Sequence, residues 1–303
     1  MTRRPCNLRG FLPLELKGLH FLVTYRCDLE CDHCFAWGSP RQSATMTLER
    51  IQQILQQAKE LGTVKWVFFE GGEPFLYYPI LVEGVREAAH LGFQVGVLSN
   101  CYWATDVEDA QEWLKPFRGL IQDLSVSSDL YHWNEKLSKQ ARNACAAAKR
   151  LAIPVGVISI AQPEAANAAS AMGQLPPGES AVMYRGRAAE KLAARATQRP
   201  WDEFTKCTHE PLREPGRVHV DPFGNLHICQ GISLGNLFER PLREICATYD
   251  PDTHSIIRPL LDGGPAELVR RYELPHQETY ADECHLCYEA RRALRGRFPS
   301  ILG

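Results

Sequence analysis

Three cysteines, Cys27, Cys31 and Cys34, stand at C-x3-C-x2-C in TYRCDLECDHC. Three thiolates in so short a stretch can wrap one face of a cubane iron–sulfur cluster and leave one iron without a protein ligand. A fully ligated cluster transfers electrons, whereas an open iron can also bind a substrate. The other chemistry open to these residues is zinc. Zinc sites usually take four protein ligands and commonly pair two C-x2-C units. The spacing x3 followed by x2 does not match that form. His33 could be a fourth zinc ligand, but it sits between Cys31 and Cys34 and would point away from them.

Cys207, Cys229, Cys284 and Cys287 form a second group, two separated thiols followed by a C-x2-C. Such a set can make a tetrahedral zinc site. Cys6, Cys101, Cys145 and Cys246 stand alone. Cys145 lies in an Ala-rich helical stretch and reads as a small core residue. Cys246 is a spare thiol that could replace Cys207. Eleven cysteines is an odd and high count. In a reducing compartment, spaced thiols mean metal binding or catalysis more often than disulfides.

The rest of the composition is that of a soluble globular chain of 303 residues, 45% hydrophobic and 23% charged. That length predicts one or two domains. A formal net charge of −2 provides no global field to gather nucleic acid or anionic membrane. The basic run Arg291–Arg297 reads as a solvated helix face. No apolar run is long enough to span a membrane. The N-terminus carries two arginines but no apolar signal-peptide segment, so the expected location is the cytoplasm.

From about 19 to 185, apolar runs alternate with helical patterns. Strands are expected at 19–25, 64–70, 93–100, 120–128 and 153–159, with a shorter sixth at 181–184. Helices are expected at 47–62, opened by a Thr47 cap, at 80–92, near 106–116 and near 134–151. Strands separated by helical segments imply parallel βαβ units, and right-handed crossovers roll such a sheet into a barrel or partial barrel. After about 190 the pattern breaks into short segments rich in Pro, Gly and Cys. VHVDPFGNLHI reads as a hairpin around a Pro-Phe-Gly-Asn turn. A boundary is expected near 195, giving domains 1–195 and 196–303. The second has little core of its own, so bound metal could supply much of its stability.

Four further motifs fall in the first region: EGGEP at 70–74, LSN at 98–100, SVSSD at 125–129 and YRGRAAE at 184–190. Taken singly, GGEP could be a turn, and Ser99, Asn100 or Asp129 a helix N-cap. Taken together, the first three stand at the carboxyl ends of successive strands, where parallel barrels and open α/β sheets bind their ligands. The chain therefore resembles the radical S-adenosylmethionine (SAM) superfamily, whose signature is C-x3-C-x2-C after the first strand of an α/β barrel. The resemblance implies a partial (β/α)6 barrel carrying a 4Fe–4S cluster on Cys27, Cys31 and Cys34. It also implies SAM binding. The Gly71-Gly72-Glu73-Pro74 backbone would meet the SAM amino group, and Ser99 and Asn100 its carboxylate or ribose. Ser127 and Asp129 match the family's Ser-x-Asp. Gly186 and Arg187 would lie near the adenosine. His33 stands where family members carry an aromatic beside the adenine, or is a solvent-exposed histidine.

The C-terminal group resembles the SPASM/Twitch extension of that superfamily, which carries auxiliary 4Fe–4S clusters. No cysteine follows Cys287, as in the shorter Twitch form with at most one auxiliary cluster. Cys207 stands slightly farther from Gly224 than in that pattern. The implied reaction is reductive cleavage of SAM to a 5′-deoxyadenosyl radical that abstracts hydrogen from a substrate C–H. Oxidation or cross-linking assisted by the auxiliary cluster would follow. Flavodoxin or ferredoxin would be the electron donor, and the substrate a peptide or small metabolite. Only about eighteen residues precede the first strand, which weakens a peptide maturase with its own N-terminal recognition domain. The alternatives are a non-catalytic iron–sulfur or zinc protein on the same scaffold, or an RNA-modifying enzyme. The near-neutral charge argues against the latter.

Overall fold

A computed structural model describes residues 13–172, 175 and 177–302. Cys6 lies outside them. The expected apolar runs form β1 (Gly18–Thr24), β2 (Trp66–Gly71), β3 (Gln94–Ser99), β4 (Asp123–Ser127) and β5 (Val155–Ile158). Each pairs in parallel with the next. The crossovers are amphipathic helices with legible signals. α1 (Leu48–Leu61) is opened by Thr47, whose side chain accepts from the Arg50 N–H. Its buried stripe is Ile51, Ile54, Leu55 and Ala58, and it ends on Gly62 at φ +76°. α2 (Tyr78–His90) buries Leu81, Val82, Val85 and Ala88. α3 (Val107–Leu114) and α4 (Lys139–Arg150) are capped by Asp106 and Ser138. α5 (Pro163–Met172), which the sequence patterns did not single out, and α6 (Arg187–Lys191) complete the first region. Strands and helices share one core in which Phe21 and Phe69 stack at 5.3 Å, fully buried. Each such ring contributes roughly 1.5–3 kcal/mol by leaving water.

The second region begins with a two-residue strand, β6 (Arg199–Pro200). β7 (Arg217–Val220), β8 (Asn225–Cys229) and β9 (Ile232–Asn236) follow, then α7 (Leu242–Thr248) and α8 (Ile257–Tyr272). β10 (Thr279–Tyr280) pairs with β6, and α9 (Glu283–Leu294) carries the last cysteines. The hairpin forms as expected. Asp221 Oδ1 accepts the N–H groups of Phe223 and Asn225, both at 2.9 Å, and Gly224 turns the chain at φ +90°.

One expectation is corrected. The segment 181–184 is not a sixth strand. Its approach to the sheet is reduced to one parallel bridge, Ile160 with Ser180. The Tyr184 N–H is taken by Asp282 Oδ2 at 3.1 Å, so it is lost to any ladder. The sixth parallel strand lies at the other side, where β7 pairs with β1 from Gly18↔Arg217 to Phe21↔Val220. The sheet order is β5-β4-β3-β2-β1-β7-β8-β9, with β8 and β9 antiparallel. The sheet takes strands from both sides of residue 195. Val218, Val220, Leu226, Leu242 and Ile245 pack into the same core as β1–β4. A second core, around Ile228, Ile257, Leu268 and Leu286, belongs to the later segments.

Candidate active site

The loop leaving β1 carries the first three cysteines to the carboxyl end of the sheet. Backbone bonds fold it back on itself: Tyr25 N–H to Ala44 C=O at 3.0 Å and Cys27 N–H to Ser39 C=O at 3.1 Å. Gly71 and Gly72 let the end of β2 approach this loop. The Gly72 N–H donates to Thr24 C=O at 2.6 Å, and a Cβ on Gly72 would stand 2.0 Å from the Arg26 carbonyl oxygen. Only glycine fits there.

A cavity of about 450 Å³ opens over these strand ends. Cys27, Cys31 and Cys34 line it together with Gly71, Gly72, Ser99, Asn100, Ser127 and Asp129. Leu29, Leu98, Ile158, Ile160 and Val182 give it an apolar wall. Leu29 N–H donates to Cys27 Sγ at 3.4 Å and Gly38 N–H to Cys34 Sγ at 3.3 Å. The Asn100 side-chain amide lies 3.7 Å from Cys27 Sγ and donates to Asp28 Oδ1 at 2.8 Å. Burial pushes the Cys27 and Cys31 thiols well above their ordinary range. Three thiols, two of them with N–H donors aimed at the sulfur, fit an iron–sulfur cluster, whose irons would hold them as thiolates and whose sulfurs take such hydrogen bonds.

The other predicted contacts divide into those on the cavity wall and those that brace it. Glu73 is buried behind the wall. Its oxygens accept from Ser99 Oγ at 2.9 Å, Asn100 N–H at 2.8 Å and Phe75 N–H at 3.1 Å, fastening the end of β3 to the end of β2. Burial pushes its carboxyl up to about 8, against those three donors. Pro74, also buried, opens the 3-10 turn that follows. Asp129 touches the cavity, but its Oδ1 accepts Tyr131 N–H at 2.9 Å and its Oδ2 accepts Ile160 N–H at 3.1 Å, tying the ends of β4 and β5 together. Burial raises the Asp129 carboxyl, but His132 at 2.8 Å, His33 and the Ile160 N–H together outweigh it and hold the group below its usual range.

Arg187 stands behind the cysteine loop. It does not line the cavity. Its buried guanidinium donates to the carbonyls of Cys31 at 2.6 Å and Gly38 at 2.8 Å, clamping the cysteine loop from behind. Gly186, at φ +59°, passes so close that a Cβ would stand 2.6 Å from Phe35 O. The Gly-Arg segment thus positions the loop. His33 faces the cavity and is largely buried, its ring 4.7 Å from Tyr131. Burial pulls its imidazole down to about 4.

The second cysteine group converges at a smaller cavity of about 20 Å³, lined by Cys207, Cys229, Cys284 and Cys287. Asp282 caps α9, accepting the His285 N–H at 2.7 Å, so that Cys284 and Cys287 stand one turn apart on its first residues. Cys246 lies elsewhere, fully enclosed in the barrel core, and does not replace Cys207. Two buried guanidinium groups face the thiols. Arg185 Nη1 lies 3.6 Å from Cys229 Sγ and 3.0 Å from Glu210 Oε1. Arg291 donates to the Cys287 carbonyl at 3.3 Å. Fixed positive charge around four thiols fits a group held by thiolates. Sequence reading missed Arg185 and three of the histidines lining the first cavity: His132, and His20 and His219, which lie within apolar strand patterns.

Residues 21–160 match the family model described as the Radical SAM superfamily. That match runs from within β1 to just past β5 and takes in the C-x3-C-x2-C loop. Among curated relatives, YydG of Bacillus subtilis (strain 168), whose name assigns it provisionally to peptide biosynthesis, is 31% identical over 108 residues. That alignment covers 35% of this chain and 34% of YydG. The PqqA peptide cyclase of Streptomyces rochei is 38% identical over 87 residues, covering 27% of this chain and 22% of the cyclase. The chain thus spans about a third or less of the curated relatives it matches. Among solved structures, BtrN in complex with AdoMet and 2-DOIA superposes with a TM-score of 0.52 at 14% identity, covering 91% of this chain and 93% of BtrN. At that identity the likeness concerns the fold alone, a mixed α/β architecture on a mostly parallel sheet.

Proposed function

We propose that this chain is a radical SAM enzyme that cleaves SAM reductively and abstracts hydrogen from a C–H bond of a peptide. The observation that carries the reading is the single cavity shared by Cys27, Cys31, Cys34 and the strand-end groups of β2, β3 and β4. Those three cysteines would hold a 4Fe–4S cluster with one open iron. Cluster and SAM together would supply one-electron scission of the sulfonium–carbon bond. The protein's part is positional. Arg187 and Gly186 fix the cysteine loop, and Glu73 fixes the end of β3 so that Ser99 and Asn100 present constant polar atoms. The apolar wall excludes water from a reactive carbon centre. A peptide substrate is supported by the names of YydG and the PqqA cyclase; a small metabolite is the second reading. We place the reaction in the cytoplasm, with flavodoxin or ferredoxin as donor.

Residues 196–303 are proposed as a Twitch-like unit holding one auxiliary 4Fe–4S cluster on Cys207, Cys229, Cys284 and Cys287, with oxidation or cross-linking as its contribution. Zinc bonded at about 2.3 Å in a tetrahedron needs sulfurs about 3.8 Å apart. Among the described residues, the groups of three ligand atoms within 4.8 Å of one another do not include this set. The small free volume, near that of one water, favours zinc instead. The sulfur spacing weighs more, because flanking side chains can yield whereas four thiols must all close in.

The test is electron paramagnetic resonance of the anaerobically reconstituted, dithionite-reduced full chain. SAM should change the signal of the wild type and of Cys284→Ala/Cys287→Ala. A wild-type signal indifferent to SAM would remove the open iron from the account.

A further inference from the structure

The cavity wall also holds a second set of potential ligands. His20 from β1, Glu70 from β2 and His219 from β7 all line it. The register explains the meeting: His20 stands beside His219 in the β1–β7 ladder, and Glu70 ends β2 on the other side of β1. His20 Nδ1 lies 3.3 Å and His219 Nε2 3.1 Å from the same oxygen, Glu70 Oε1. Phe68 stacks on the His20 ring at 4.6 Å and fixes its plane.

We propose that His20, Glu70 and His219 form a binding site for one divalent transition-metal ion of the zinc or iron(II) class. Three observations lead there. First, the spacing fits. Two metal–ligand bonds of about 2.0–2.2 Å set near 90–110° hold their donor atoms about 3–3.5 Å apart. Second, the contacts are near but not aligned as hydrogen bonds. His20 Nδ1 and Glu70 Oε1 are both buried without a hydrogen-bond partner. Glu70 is 7% exposed, and a buried carboxylate oxygen so placed costs free energy unless an imidazole N–H turns onto it or a cation takes it up. Third, two imidazoles and one carboxylate are a ligand set that holds such ions while leaving positions open, here toward the cavity. The nearby cation Arg217 does not occupy the place; its guanidinium lies 3.9 Å from Glu210 Oε2. An ion so held would present its open positions to a carbonyl or carboxylate oxygen of whatever enters the cavity. The site does not depend on the SAM reading, since it rests on other residues.

The experiment is equilibrium dialysis of the reconstituted full chain against cobalt(II), with bound cobalt and iron counted by mass spectrometry. Cobalt on thiols cancels in the difference between wild type and variants. Glu70→Gln and His219→Phe should each bind one cobalt fewer than the wild type, with unchanged iron. His20→Phe, which keeps the stack on Phe68, should do the same and serves where another variant fails to fold. Equal cobalt in wild type and folded variants would overturn the proposal. SAM cleavage measured on the same samples tells this failure apart from failure of the radical SAM reading.

Discussion

The Arg187 guanidinium and the Cys31 carbonyl meet at 2.6 Å across 156 residues of chain. The same side chain reaches Gly38 O, so one planar fork spans both ends of the cysteine loop's final turn. Arg187→Lys can satisfy only part of that geometry, and Arg187→Ala leaves the Gly38 carbonyl without this donor and the Cys31 carbonyl with the Cys34 N–H alone. Each lost partner costs roughly 1–3 kcal/mol. Arg187→Ala is expected to release the loop to limited proteolysis within residues 25–46 and to lower iron content, with Arg187→Lys intermediate. Unchanged proteolysis and iron in Arg187→Ala would show that the clamp is dispensable.

Gly72→Ala should be among the most damaging small changes. Its Cβ would meet the Arg26 carbonyl at 2.0 Å, and backbone cannot swing aside as a side chain can. A loss of about 3 kcal/mol, at the upper end for overpacking, is expected in denaturant unfolding. Gly62→Ala is the comparison. That glycine, unlike Gly72, has positive φ, but nothing lies within 4 Å of its added Cβ. It should lose only about 1 kcal/mol. Equal losses would mean that the β2 end does not need its close approach to the loop.

The hairpin predicts an acid limb. Asp221 is buried, and although burial raises its carboxyl, bonds from His227 and Asn225 hold it below its ordinary range. A depressed folded pKa contributes stability that is present above the unfolded value of about 4 and is lost as pH falls through the folded value. Asp221→Asn should therefore destabilise at pH 7 by roughly 1–3 kcal/mol and flatten the decline below pH 4. Thermal unfolding from pH 7 to pH 3 measures both. A parallel decline in the two proteins would contradict the assignment.

Much of this site was legible in the sequence because its parts are local. TYRCDLECDHC, EGGEP and LSN each lie within a few residues at a strand end, and hydrophobic period places those ends side by side. The hairpin was equally local, carried by Asp221 and Gly224. What escaped depends on distant pairing. Nothing in residues 217–220 announces that they lie against 18–21, so the parallel β1–β7 ladder and the shared core were missed. The same ladder assembles His20, Glu70 and His219, three polar residues that look incidental in apolar strands. The segment 181–184 has a strand's composition, but the Tyr184 N–H goes to Asp282, a residue 98 positions away. The Arg187 clamp was invisible for the same reason.

Metal content separates the two cysteine groups. Two 4Fe–4S clusters require about eight irons per chain. Changing Cys27, Cys31 and Cys34 together to Ala should leave about half of them. Stoichiometric zinc in that anaerobically purified variant would instead give the second group to zinc. Circular dichroism should accompany the count, because a bound group at Cys207, Cys229, Cys284 and Cys287 stabilises the segments packed around it.

The most direct measurement is 5′-deoxyadenosine formed from SAM by the anaerobically reconstituted, dithionite-reduced protein. Wild type should form it, and so should folded Cys284→Ala/Cys287→Ala, because that variant leaves the first cavity intact. Cys27→Ala, Cys31→Ala and Cys34→Ala should each abolish it, since a cluster with an open iron cannot spare one of three thiolates. Undiminished 5′-deoxyadenosine from the triple variant would contradict the account at its centre.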